Sequence, residues 1–298
     1  MLQLLAQSPS AWVAFALILG LVVGSFLNVV IYRLPIMLDR QWRTECADLN
    51  PGAVTAATAA PFNLTVPRST CPACQTPIKA LHNVPLLSYL ALRGRCANCR
   101  ARISARYPLV EALCGALSAL VAWQFGFTAA AACALLITWF LIALTFIDLD
   151  HQLLPDSLTL PLLWLGLLAS LTGWSSTAAS LPVDPVSAIS GSALGYLSLW
   201  AVYHVFRLLT GKEGMGYGDF KLLAALGAWL GSRMLLPIVL FAAVVGAVTG
   251  IGLIALRRHQ RGVPVPFGPF LAAAGWLAMM WGPKIVDRYL SLYGAQSG

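Results

Sequence analysis

The chain has 298 residues, 59% of them hydrophobic and only 10% charged, with mean hydropathy +0.77. Soluble domains carry about 25% charged residues, so this composition excludes an ordinary soluble protein. The formal charge of +8 comes from 19 Lys and Arg against 11 Asp and Glu, and its placement points to membrane topology rather than to nucleic acid.

Crossing a bilayer takes about 20 apolar residues per helix. Apolar stretches lie at about 10–31, 109–126, 128–147, 157–173, 186–209, 219–232, 235–256 and 267–283. The expected fold is therefore an all-α polytopic membrane protein with about eight transmembrane helices. Residues 1–10 hold no Lys or Arg, and Gly24-Ser25-Phe26-Leu27-Asn28 is not a small-residue cleavage site. The first stretch is expected to stay as an anchor rather than to be removed as a signal peptide.

Three parts follow: a first transmembrane helix at 1–31, a polar domain at 32–108, and a helical bundle at 109–298. With the amino terminus outside, sixteen of the 19 basic residues fall in or beside 32–108, 148–156, 210–218 and 257–266. Only Arg233, Lys284 and Arg288 face the other way. Short basic loops stay in the cytoplasm, so the polar domain is expected there.

Within that domain, residues 39–50 are polar and 51–61 read as a flexible linker. Asn63-Leu64-Thr65 matches a glycosylation acceptor, but a cytoplasmic position empties the match. Cys71-Pro72-Ala73-Cys74 and Cys96-Ala97-Asn98-Cys99 form two C-x2-C knuckles with 21 residues between them. Four thiolates close a tetrahedral zinc shell and leave no open position, so a structural zinc site is expected. A reducing cytoplasm disfavours the competing disulfides. Cys46, Cys114 and Cys133 have no partner at metal spacing.

Gly20…Gly24, Gly191…Gly195 and Gly246…Gly250 have the spacing that lets helices approach closely in lipid. They are expected to pack helices rather than to bind ligands.

The chemistry is expected at the carboxylates. Asp148 follows the apolar run 139–147 and should end one helix, while Asp219, in Gly216-Tyr217-Gly218-Asp219, should begin another. Acids at membrane depth are costly unless paired, hydrated or used. The opposed helix ends make the two electrostatically unequal. If they meet, one activates a water against an amide carbonyl while the other protonates the oxyanion. Asp156 is expected to cap the next helix, and Asp150 and His151 to lie in a hydrated loop. No G-x-S-x-G or H-E-x-x-H motif competes, and the four His are scattered.

Several segments together closely resemble the type IV prepilin leader peptidase family. They are Gly24–Pro35, the cysteine pairs, Arg106–Glu111, Asp148–Pro161, Gly214–Lys221 and Pro266–Pro269, in order along nearly the whole chain. The resemblance implies a membrane aspartic peptidase of the GxGD type in the inner membrane of a Gram-negative bacterium, with 109–298 as its peptidase bundle. It implies cleavage of the basic leader of type IV prepilins and type II secretion pseudopilins, after a glycine, at the cytoplasmic face. Methylation of the new amino terminus with S-adenosylmethionine would follow. Asp148 and Asp219 fall on the family's catalytic positions, and Cys71, Cys74, Cys96 and Cys99 on its tetracysteine motif. The methyltransferase activity would belong to 32–108, around Gly94 and the knuckles, without a G-x-G-x-x-G fingerprint. A peptidase without methylation, or a transporter using the aspartates as proton relays, stands as the alternative.

Overall fold

The computed structural model describes residues 2–49, 61–78, 84–172, 181, 183–255 and 265–292. Most of the sequence-read linker (51–60), Lys79, His82 and the basic residues Arg257, Arg258 and Arg261 lie outside these. The chain divides into two compact units, Met1–Trp123 and Gln124–Gly298.

The first unit holds α1 (Leu2–Gln7), α2 (Pro9–Asp48), α3 (Leu87–Ala91) and nearly all of α4 (Arg106–Phe125). Ser8 starts α2: its side chain accepts the Ala11 amide at 3.4 Å, and Pro9 occupies a first-turn position where no amide bond is lost. The expected end near residue 31 is overrun, because α2 continues to Asp48. Side-chain pairs one turn apart sustain this polar extension: Arg43–Asp39 at 2.8 Å and Gln41–Glu45 at 2.8 Å. Gly20 and Gly24 let α4 approach α2. A Cβ built on Gly20 would lie 2.5 Å from Ser118 Oγ, and one on Gly24 2.9 Å from Glu111 Cα.

The second unit holds α5 (Ala129–His151), α6 (Asp156–Ser170), α7 (Pro185–Thr210), α8 (Tyr217–Leu230), α9 (Leu235–Ala255) and α10 (Gly268–Leu292). A single 3-10 turn, Ser232–Met234, joins α8 to α9. The central element is α8, buried almost continuously from Asp219 to Trp229. Its tightest neighbour is α7, which meets it backbone to backbone: Gly191 faces Gly227, and a Cβ on Gly195 would lie 2.7 Å from the Leu223 carbonyl. On the α6 side, the Trp229 indole donates to the Leu162 carbonyl at 2.8 Å, over Gly166. Trp276 of α10 donates to Thr138 of α5 at 3.0 Å. The third glycine pair is only half used. Gly246 meets Phe270, whereas a Cβ on Gly250 meets nothing within 4 Å.

Apolar side chains also cover the outside. Ile189, Leu194, Leu197 and Val202 of α7 are exposed, as are Leu236, Leu240, Val244, Val248 and Ile251 of α9. Patches of that extent belong against lipid. Among the described residues, five segments are long and apolar enough to cross a bilayer: α2, α4, α5, α7 and Ser232–Leu253. At roughly 1.5 Å per residue, the 15 residues of α6 and the 14 of α8 fall short of a full crossing. The chain is a polytopic all-α membrane protein in which α8 is sheathed by other helices rather than by lipid.

Candidate active site and cysteine cluster

Alternating helix directions bring the end of α5 and the starts of α6, α8 and α10 to one end of the second unit. There Asp148 and Asp219 are buried, at 5% and 7% exposure, and lie near enough for the charge of Asp148 to act on Asp219. The two residues, 71 positions apart in sequence, share one site.

Asp219 is the third residue of α8, and Gly216 is that helix's N-cap. The carboxylate reaches back to the Gly216 amide, one half of a capping box. Its Oδ1 is buried with no hydrogen-bond partner among the described residues. Gly218 is required by close approach: a Cβ there would lie 2.6 Å from Leu154 Cβ. Tyr203, Tyr217 and Phe220 form a closed aromatic cluster beside Asp219, with centroids 5.4–5.7 Å apart.

Asp148 occupies the last turn of α5 and accepts a backbone hydrogen bond from Gly268, the first residue of α10. The electrostatic inequality expected from the two helix ends is thus offset. A third helix turns its amino end toward Asp148, so both carboxylates face a positive helix terminus. Nothing in the sequence around Asp148 signals this contact; Gly268 lies 120 residues away.

Asp156 departs from expectation. The N-cap of α6 is Pro155, with no side-chain cap, and Asp156 is the first helical residue. Its carboxylate instead takes Lys221 of α8, with Nζ 2.6 and 2.8 Å from the two oxygens. An ammonium is a stronger partner than a backbone amide, and the α8 start brings it within reach. Asp150 and His151 are exposed as expected, but they belong to the last turn of α5 rather than to a loop, because that helix runs on to His151. A cavity of about 620 Å³ bounded by Ser187, Leu230, Arg233 and Met279 lies at the opposite ends of these helices and contains neither aspartate.

In the first unit the four knuckle cysteines gather, their sulfurs all within 4.8 Å of one another and Cys71–Cys99 at 3.8 Å. A tetrahedral zinc shell with Zn–S near 2.3 Å spaces its sulfurs about 3.8 Å apart, so the donor set fits that ion. None of these cysteines is disulfide-bonded. The two knuckles are built alike. The Cys71 amide bonds Thr76 O at 3.0 Å and Cys96 bonds Ala101 O at 2.9 Å, while Gln75 and Arg100 return to Cys71 O and Cys96 O. Both Gln75 and Arg100 are left-handed, at φ 58° and 59°. Hydrogen bonding with Thr76, then Asn98, lowers the Cys74 thiol to about 6. The Ala101 amide lowers Cys99, but burial and the crowding of the other three cysteines outweigh it, raising that thiol to about 11. Four such sulfurs hold full thiolate charge together only around a cation.

The domain is tied to α2 by Arg33, whose buried guanidinium donates to Asn63 O at 2.8 Å and Pro67 O at 2.6 Å. The Asn63 side chain accepts from Thr65 and Val66, closing an Asx turn. Cys46 is exposed, Cys114 buried and Cys133 half-buried, all outside the cluster.

These features define the class: a multi-pass helical membrane protein with a buried carboxylate pair at one end of its bundle and a four-cysteine knuckle domain. Residues 18–125 match the bacterial peptidase A24 N-terminal domain, and residues 135–251 match the type IV leader peptidase family. A prepilin leader peptidase/N-methyltransferase of Stutzerimonas stutzeri is 54% identical over 97% of this chain and 97% of its own length. Proteins of the same name from Aeromonas hydrophila and Pseudomonas aeruginosa are 55% and 51% identical, covering 94% and 99% of this chain and 95% and 99% of theirs. No solved structure matches. The chain belongs to the type IV leader peptidase family.

Proposed function

We propose that this protein is a bifunctional prepilin leader peptidase and N-methyltransferase, with Asp148 and Asp219 as its catalytic pair. The observation that carries the peptidase half is the convergence of two buried carboxylates, one with an oxygen unpartnered among the described residues, at a single bundle end. A buried carboxylate oxygen without a partner is costly, and that cost is offset where the group receives a reactant. One carboxylate removes a proton from water as the oxygen attacks the scissile carbonyl; the other donates a proton to the developing oxyanion. The proton then passes to the departing amine. Because two linked carboxylates share their protons, the site titrates as a pair.

The substrates are type IV prepilins and type II secretion pseudopilins, supported by family membership and by the names of the relatives. The site is at the cytoplasmic face of the inner membrane, supported by the clustering of basic residues on that side of the sequence. The cleavage region of a basic leader meets the carboxylates where its apolar segment enters the bilayer. Cys71, Cys74, Cys96 and Cys99 hold a structural zinc, which supplies no open coordination position for catalysis. S-adenosylmethionine supplies an electrophilic methyl group to the new terminal amine. Resemblance supports assigning that activity to 32–108, around Gly94 and the knuckles, with no residue assigned to hold the donor.

The test incubates purified wild-type, Asp148→Asn and Asp219→Asn proteins with prepilin in detergent. Cleavage by wild type and its loss in both folded variants is expected. Cleavage persisting in either variant refutes the pair, and ion or solute flux without cleavage favours a proton relay. Mass measurement of the processed pilin decides methylation by one methyl group.

A further inference from the structure

The turn between α5 and α6 touches both carboxylate neighbourhoods at once. Leu154 is buried there, against Gly218 at the start of α8 and against Gly268 at the start of α10. A Cβ on Gly218 would lie 2.6 Å from Leu154 Cβ, and one on Gly268 3.1 Å from Leu154 Cδ1. Two residues later, Asp156 takes the Lys221 ammonium with both carboxylate oxygens, at 2.6 and 2.8 Å. Lys221 is two residues beyond Asp219. The segment that leaves Asp148 therefore returns at once to grip the helix that carries Asp219.

We infer that Asp156 and Lys221 are positioning residues for the proposed peptidase reaction: their ion pair, backed by the Leu154 wedge, sets the Gly216–Asp219 corner against Asp148. The inference rests on the peptidase reading for its effect on rate. Its structural part stands independently.

Exposure separates positioning from simple stabilisation. The Lys221 and Asp156 side chains are 29% and 56% exposed, and pairs with that access to water add little to stability. Breaking this one should leave the bundle folded. Catalysis by two carboxylates is far less forgiving, because a displacement of about 1 Å costs on the order of 10²-fold in rate. Gly216 and Gly218 supply little side-chain packing of their own, so the corner needs an external tether.

The experiment uses the full chain in detergent with prepilin as substrate. It compares wild type with Asp156→Asn, Lys221→Met, the double variant and Lys221→Arg. Each single loss should lower kcat by roughly 10- to 100-fold with KM nearly unchanged. The double variant should be no worse than the poorer single, because both changes break one interaction. Lys221→Arg, which keeps the cation, should recover most of kcat. Hydrogen exchange of the Gly214–Leu222 peptide should accelerate in Lys221→Met while the melting temperature holds.

Wild-type kcat in both single variants overturns the inference, as does a multiplicative double variant, exchange unchanged at the corner, or a loss explained by unfolding in Asp156→Asn and Lys221→Met alike. Asp148→Asn and Asp219→Asn run in the same assay keep the two claims apart. A wild type that does not cleave refutes the peptidase reading, while the exchange measurement still decides the tether.

Discussion

Gly268 opens α10 directly against Asp148. Its amide donates to the carboxylate, and a Cβ built on it would lie 2.5 Å from Oδ2. A helix amino terminus reaches this acid only because position 268 has no side chain.

Gly268→Ala should therefore push either Asp148 or α10 out of place. The expected result is a loss of cleavage of roughly 10²-fold, the scale on which a misplacement of about 1 Å acts. Gly250→Ala is the matched control, since a Cβ there meets nothing within 4 Å. Cleavage assays on the pair should show a defect in the first and wild-type activity in the second. Equal activity would refute the contact.

The seam between α7 and α8 depends on Gly191 and Gly227 meeting backbone to backbone. Gly227→Leu has no room and should destabilise the protein by at least about 1–3 kcal/mol. Thermal unfolding in detergent, followed by circular dichroism, checks this. Gly252→Leu, at a position with nothing within 4 Å of a built Cβ, should melt like wild type.

Trp229 tests a polar contact away from the chemistry. Trp229→Phe keeps a ring over Gly166 but removes the donor to the buried Leu162 carbonyl. The carbonyl keeps its place in the α6 ladder, so a cost of about 0.5–1.5 kcal/mol is expected from the lost hydrogen bond, with cleavage by the folded fraction retained. A melting curve identical to wild type would contradict it.

Metal removal addresses the first unit. Elemental analysis should find zinc in the purified protein and its loss from Cys71→Ser. A chelator should accelerate hydrogen exchange across Thr70–Pro77 and Arg95–Arg102, the two bridged knuckles, because binding free energy is folding free energy in such sites. Unchanged metal content in Cys71→Ser would reject zinc at the four sulfurs.

Much of this architecture is legible along the chain. The eight apolar stretches each became a helix, with ends within a few residues of expectation, apart from α10, which runs nine residues past 283, and α2, whose polar extension is stabilised by pairs one turn apart. The knuckles were readable because both ends of each metal-binding unit lie within four residues of sequence. Asp148 and Asp219 stood out for a similar reason: an acid beside a long apolar run is conspicuous wherever it folds to.

The partners of those acids were not legible. Asp156 has the residue type and position of a cap, and only the approach of α8 makes it the counterion of Lys221. Gly250 has the spacing of a packing glycine, yet a Cβ built there meets nothing within 4 Å among the described residues. Composition, hydrophobic period and cysteine spacing act over one or two helical turns, so the sequence by itself determined the membrane class, the helices and the four-sulfur cluster. Which helix end faces Asp148, which cation Asp156 holds, and that two acids 71 residues apart share a site were decided by tertiary structure alone. Those contacts join elements distant in the chain, and only the packing of whole helices fixes them.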